Sequence, residues 1–423
     1  MRSQSWKSCL GVLCLLAAGT ANAAKISFSE KGFVDVGALI QGQYRIEQDL
    51  ASSGHDPSHD FLLSRARILL SGQFNDMIGF IIDTDVSYGT TVINNPQVGQ
   101  PSGAATAAST YNLGSGAGWS NTIYLLDALS TLKVAKEFIL DAGLMLLPYS
   151  HNSLTSGAKY YSVNRFNAVF SPNSSRGLRD VGVLIRGLLL SDRLYYRIGV
   201  FNGVQTTKNT STTPVSNGLN PGDAPRFAGM LRFNIAGKED GYSFCQVCFA
   251  SSPIVSIGVA GDYQANAIRP AIPVAPGTTP APKPIGMHAW TTLNADIFAD
   301  IPFSSDLELG VEFLFSKYFV GDNTVQSGNE YQGLVGLRFG VFSIFGAIDY
   351  FNSETQFVGA GFTTGDFKYY RGGVNYYLQQ NTYKITAEIA FQDRENAGLK
   401  AANGTTVITD NHWVGTLQFQ VGF

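Results

Sequence analysis

Charge is scarce in this chain. Lys, Arg, Asp and Glu make up 14% of its 423 residues, where a soluble domain carries about 25%. A long hydrophobic run is absent too: beyond the first 23 residues no stretch is apolar for the roughly 20 residues a membrane helix needs. Proline is sparse at 16 residues against 46 glycines, while 28 Phe and 19 Tyr are plentiful. That balance favours strands and turns over helices. The apolar residues are interleaved with polar ones rather than gathered, and the acidic excess with no basic cluster excludes a nucleic-acid partner.

The N-terminus carries Arg2 and Lys7, an apolar run from Cys9 to Gly19, and Ala21-Asn22-Ala23. This is the pattern of a secretory signal peptide, residues 1–23, with cleavage expected before Ala24. The apolar run is too short for a spanning anchor. Removing it leaves 27 basic against 32 acidic residues, a net charge of −5.

Cys9 and Cys14 depart with the signal, leaving only Cys245 and Cys248 of the four cysteines. Two close cysteines in an oxidising compartment read first as a local disulfide. Inert free thiols are the next reading. A zinc site would want a second pair of ligands, and a redox pair would want a βαβ context. No metal and no cofactor are expected.

From residue 33 onward, runs of about ten residues alternate apolar with small or polar side chains, the strand period. Short turns and long polar loops join them in alternation, which predicts an all-β fold, a transmembrane antiparallel barrel. Sixteen runs are read, at 33–45, 61–74, 78–88, 122–134, 138–148, 180–189, 193–202, 225–235, 254–264, 288–299, 305–316, 329–339, 342–351, 367–378, 383–393 and 412–423. An even count places both ends on the periplasmic side, with seven turns there, short except for 236–253. The long connections, chiefly 89–121 and 149–179, fall outside or fold into the lumen. A strand pair hidden in 89–121 would raise the count to eighteen. Residues 265–287, with Pro280-Ala281-Pro282, read as a stiff loop, so residues 24–423 form one domain.

In the second run Leu62, Ala66, Ile68, Leu70 and Phe74 are expected to face lipid, and Arg65, Arg67, Ser71 and Gln73 the lumen. The last run alternates through Trp413, Leu417, Phe419 and Val421 to a terminal Phe423. It resembles the assembly signal of outer-membrane proteins, read by the barrel assembly machinery. Lipid cannot satisfy an open sheet edge, so the sheet must close, and sixteen strands enclose an aqueous channel. The outer membrane of a Gram-negative bacterium is the expected location.

The segments Phe61–Gly72 (FLLSRARILLSG), Ala142–Tyr149 (AGLMLLPY), Arg179–Val183 (RDVGV) and Tyr196–Gly203 (YRIGVFNG) resemble, in order and spacing, the phosphate-selective porin O and P family. The match is strongest over residues 60–205, and Val255–Gln264 resembles the family's middle strands. The resemblance implies a sixteen-stranded barrel, a homotrimer, and a third loop folded into the lumen, here 149–179. It puts Lys159, Arg165, Arg176 and Arg179 near the constriction. Where the family carries a basic residue between the glycine and proline of its fifth strand, this chain has Leu144 to Leu147.

Such a protein makes no bonds, and its mechanism is the radius and potential of the lumen. Candidate lumen residues are Arg65, Arg67, Arg186, Arg197, Arg232, Arg338 and Arg371 against Asp83, Asp85, Asp127, Asp141, Glu308, Glu312, Asp349 and Glu388. Cross-strand bracing of the wall is the plain reading of any single pair. A transverse field is favoured for Arg165, Arg176 and Arg179, as loop residues. The expected solutes are small and hydrophilic, ions included, with anions a candidate preference. A lipase is weighed for His151-Asn152-Ser153, but such a base and nucleophile would need an orienting third group and outward exposure to lipid, whereas the pair begins the expected constriction loop, and no catalytic residue is assigned. His59-Asp60 reads as a loop pair. A receptor or adhesin acting through the long loops is the alternative, while a TonB-dependent transporter needs 22 strands and a plug.

Overall fold

The computed structural model describes residues 24–48, 51, 56–85, 123–165, 178–205, 220–268, 287–320, 327–354, 357–359, 362–364, 367–393, 399–400, 407–408 and 411–422. The expected signal peptide, the terminal Phe423 and the whole of 89–121 lie outside them.

Sixteen antiparallel strands form the wall: β1 (Phe33–Glu47), β2 (Ser58–Gln73), β3 (Ile78–Asp85), β4 (Tyr124–Ala135), β5 (Phe138–Leu146), β6 (Arg179–Leu189), β7 (Leu194–Phe201), β8 (Arg226–Ala236), β9 (Ile254–Ile268), β10 (His288–Pro302), β11 (Leu307–Phe319), β12 (Gly328–Phe339), β13 (Phe342–Ser353), β14 (Phe367–Gln379), β15 (Tyr383–Asp393) and β16 (Asn411–Gly422). Each pairs with its neighbours in sequence, and β16 closes the ring on β1 from Leu39↔Gly422 to Glu47↔Val414. Because β3 pairs directly with β4, at Ile78↔Leu132 through Asp85↔Tyr124, no strand pair can stand between them, and the ring closes at sixteen rather than eighteen. The lower part of β1 extends past the end of β16, and a short strand, Ala24–Ser27, doubles back to pair with Phe33–Val36 there. It covers an edge that lipid would leave unsatisfied.

Alternation carries the wall. Ile198, Val335 and Ile389 stand among the outward residues while Arg197, Leu334 and Glu388 beside them are buried. Aromatic rings gather towards the turn end, with Phe28, Phe74 and Phe80 in one group and Phe339, Phe342 and Tyr376 in another. A second set, Tyr44 with Phe61 and Tyr331 between Phe315 and Tyr350, lies towards the loop end. Two belts flanking an apolar band are what a bilayer demands of a barrel. Among the described residues no helix is long and apolar enough to cross a membrane; the strands do so.

One face assignment is corrected. In β2 the register slips between Gln41↔Arg65 and Gly42↔Leu63, making Ser64 an extra residue. A bulge reverses the parity of whatever precedes it, so Phe61 is 81% exposed and Leu62 is 8% exposed, on the lumen side with Arg65.

The lipid-facing role of the band is testable at Val335, on the outer face of β12. Val335→Arg should destabilise the barrel by about 2–4 kcal/mol near the bilayer midplane. Denaturant unfolding in lipid vesicles measures it, and a change near zero would mean this face does not meet lipid.

Candidate functional site

Two segments from opposite ends of the barrel meet inside it. The loop-side one is 147–165, between β5 and β6; the turn-side one is 237–253, between β8 and β9. The first enters over an apolar seat in which Met145, Leu147, Tyr149, Leu178, Leu184 and Phe201 are buried together. Within Leu144 to Leu147, the departure from the family pattern, Met145 and Leu147 join this seat, with Leu147 fully buried.

Ser150 then caps a single helical turn, α1 (His151–Leu154). Its hydroxyl accepts from the Ser153 amide at 3.1 Å, and the Ser153 hydroxyl accepts from the Ser150 amide at 2.9 Å. This reciprocal box fixes the turn and aims His151 at the far wall. The imidazole lies between Phe298 of β10, centroids 3.8 Å apart, and Phe244 of the turn-side segment, 5.3 Å away. Its Nδ1 is 2.9 Å from Glu312 of β11. Nε2 lies 2.9 Å from Glu239 of the turn-side segment, an ion-pair contact rather than a well-directed hydrogen bond. The His151 amide donates to Asp296 at 3.2 Å, and Arg232 holds both Asp296 and Glu239. Burial opposes a charge on His151, yet the two glutamates outweigh it and hold its pKa up at about 9. Burial likewise opposes ionisation of Glu239, and His151 with Arg232 overcomes it, drawing that carboxyl down to about 2.

Beyond α1 the loop-side segment runs along the inner faces of β11 to β15 and across β16 to β2. Gln41 donates to Gly157 at 3.0 Å, Gln420 to Ala158 at 3.0 Å and Lys384 to Tyr160 at 2.6 Å. Asn375 donates to Tyr161 at 3.0 Å, and Arg371 to Asn164 and Arg165 at 3.0 Å each. Arg65 reaches the Val163 carbonyl at 3.3 Å, and Glu388 accepts from the Val163 amide at 3.0 Å. Every acceptor in the donor series is a backbone carbonyl, so these wall side chains satisfy a non-sheet backbone held inside the barrel. Tyr161 is the deepest anchor. Its ring covers the cross-strand pair Gly310↔Gly336 of β11 and β12, where a Cβ would stand 2.7 Å and 2.5 Å from ring carbons.

The turn-side segment spans the lumen in the other sense. Tyr242 donates to Asp127 of β4 at 2.5 Å and accepts from the Leu146 amide at 2.9 Å. Arg197 holds the carbonyls of Gly241 and Tyr242 at 2.6 and 2.7 Å. Phe244 exchanges backbone hydrogen bonds with Leu154 and Ser156, and Gln246 bonds Tyr161 and Glu312. Cys245 and Cys248 form the expected disulfide. The Cys248 and Phe249 amides donate to Asp300 and Glu308 at 3.1 Å each, and Asn381 holds Val247 at 2.8 Å. The sequence placed these residues in a periplasmic turn, and period-two alternation did not bring them inside the barrel.

The sequence-predicted charges sort accordingly. Arg67 pairs with Asp85 at 3.0 Å and Asp83 at 3.9 Å, bracing β2 to β3. Arg65, expected to oppose the same aspartates, instead bonds the loop-side segment and Gln41. Arg179 is the first residue of β6 and grips Asp127 with two nitrogens at 2.8 and 3.1 Å, so it braces the wall as Arg186 does with Asp141 at 2.6 Å. Arg197 carries the turn-side segment. Lys159 is exposed and Arg165 half-buried; Arg176 lies outside the described residues. Protein mass around Lys159 pushes its ammonium pKa down. Asp83, Asp85, Asp127 and Asp141 are all buried. Among the described residues no His, Cys, Asp and Glu cluster is arranged to hold a metal.

No family model matches the sequence, and no characterised protein sequence does either. Solved structures do resemble the fold. The anion-selective porin from Comamonas acidovorans gives a TM-score of 0.54 at 11% identity, over 93% of this chain and 100% of that one. OprB of Pseudomonas putida gives 0.55 at 10%, over 92% and 94%. A loop-L8 deletion form of OmpT from Vibrio cholerae gives 0.51 at 12%, over 93% and 100%. At these identities the likeness is one of fold: a closed antiparallel barrel of the kind found in the bacterial outer membrane.

Two outcomes test this geometry. Gly336→Val should drive Tyr161 off its seat and cost about 1–3 kcal/mol as overpacking does, read as an earlier denaturant midpoint; an unmoved midpoint would place the ring elsewhere. His151 titrates high, so its contribution is complete below its ordinary value near 6.5 and is lost as pH rises through about 9. An NMR titration of the ring should show a midpoint well above 6.5, and one at or below it would break the two-glutamate clamp.

Proposed function

We propose that this protein is an outer-membrane channel for passive diffusion of small hydrophilic solutes and ions. The observation that carries the reading is a closed barrel, apolar outside and polar within, whose lumen is narrowed by the inward loop 147–165. Such a lumen selects by size and by the sign of the charge that solvent reaches.

That sign favours anions. On the loop-side segment Lys159 is exposed and Arg165 half-buried, while the wall carboxylates Asp83, Asp85, Asp127 and Asp141 are buried and paired with arginines. A solute passing there meets cations first. The reading stops short of phosphate, because β5 presents Met145, Leu146 and Leu147 as an apolar seat where the resembling family carries a basic group. Assembly as a homotrimer rests on that resemblance and belongs to the same proposal, as does recognition by the barrel assembly machinery.

Reconstituted in a planar bilayer under a salt gradient, the protein should show stepwise conductance with a reversal potential of anionic sign. Lys159→Glu should move that potential towards cation preference without abolishing the steps. A folded, heat-modifiable barrel that never conducts would remove the channel reading and leave loop-borne binding.

A further inference from the structure

Turn-side connections of a membrane barrel need only reverse the chain, and here residues 303–306, 340–341 and 380–382 do so within a few residues. Residues 237–253 are several times longer, yet they are not a free excursion. Phe244, Gln246 and Val247 are among the buried residues, and Glu239 is buried beside His151. The segment is attached at one side to Asp127 of β4 and at the other to Asp300, Glu308 and the β14–β15 turn at Asn381. It therefore crosses the lumen, directly against the loop-side segment.

We propose that residues 239–250 are the inner half of the constriction, a gate whose position, together with that of 147–165, determines how much solute passes. The inference rests on the channel reading and deepens it.

Three features suit the part. Phe244 and Val247 put an apolar tip against Leu154 and Tyr161, so the contact excludes water. Glu239 contacts His151 at 2.9 Å, so an ion pair joins the two halves beside the backbone hydrogen bonds that Phe244 makes with Leu154 and Ser156. The Cys245–Cys248 bond closes a loop of only four residues; loop-closure entropy at that length is small, so its main effect is local, holding the tip in shape. Both cysteines are half-buried rather than enclosed. A dithiol reductant can reach them by exchange: its thiolate attacks one sulfur, its second thiol closes the reductant into a cyclic disulfide, and Cys245 and Cys248 leave as thiols.

The experiment compares single-channel conductance of the full chain with that of a variant in which Tyr242–Phe249 are replaced by two glycines. If the segment is the inner gate, the variant should conduct at least about twofold more, because a narrowing element has gone. Glu239→Gln, which keeps the segment and its backbone hydrogen bonds but removes this ion pair, should lengthen or multiply open events. Dithiothreitol should act in the same direction on the full chain and be reversed by reoxidation. Equal conductance in the shortened, folded variant overturns the gate while leaving the channel standing. Should that variant fail to fold, unaltered gating in both Glu239→Gln and the reduced protein overturns it equally. A shortened variant and full chain that both fold and both stay silent overturn the channel reading itself.

Discussion

The constraint on which the interior depends is that a backbone amide or carbonyl held away from water must find a partner. The sixteen strands meet it by pairing all the way round. Segments 147–165 and 239–250 cannot, since neither joins the barrel sheet. Their peptide groups are satisfied instead by side chains that the wall points inward: Gln41, Asn375, Lys384 and Gln420 for one, Arg197 and Asn381 for the other. Much of the inward polarity that first suggests a wet lumen is thus a receptor for protein backbone.

The same economy governs charge. Around the ring the interior is mainly basic on β14 to β2 with Arg371, Lys384, Arg65 and Arg67, acidic on β3 to β5, mainly basic on β6 to β8, and mainly acidic on β9 to β13 with Asp296, Asp300, Glu308 and Glu312; Glu47, Glu388, Asp180 and Arg338 are the buried charges of opposite sign within these blocks. Ion pairs fall at the seams, as in Arg67–Asp85, Arg186–Asp141, Arg226–Asp262 and Arg371–Asp349. Breaking a buried pair by removing one partner costs about 3–5 kcal/mol, so such seams resist change. In the proposed channel, selectivity falls to charges outside these seams, such as the exposed Lys159 of the loop-side segment, which can vary without unbracing the wall.

The sequence was most legible where physics acts through period two. All sixteen strands lie where alternation put them, within about four residues at each end, the usual uncertainty of such boundaries. It was least legible where a single residue resets the count, as Ser64 does for Leu62 two positions ahead of it, or where a residue's partner lies far along the chain. Arg179 sits at the edge of a loop in sequence and reads as a pore charge; only the fold brings Asp127, 52 residues away, under its guanidinium. The turn-side segment carried a weak signal in its length and in Phe244 and Val247, apolar residues with no place in a solvated turn. Alternation has nothing to say about a segment that is neither strand nor helix, and the cysteine pair pointed to a local staple without saying what it shaped.

His151 shows how these threads meet. Its ring stacks between Phe298 and Phe244, which removes it from water, and that burial alone would favour the neutral imidazole. Glu312 belongs to the wall and Glu239 to the turn-side segment, so the charge is retained only while all three elements are together. Either glutamate alone would oppose the burial of the ring less strongly than the two together. Assembly of the two inward segments and protonation of one histidine are therefore coupled, and a sequence in which His151 was merely a loop residue beside a serine contains the joint between them.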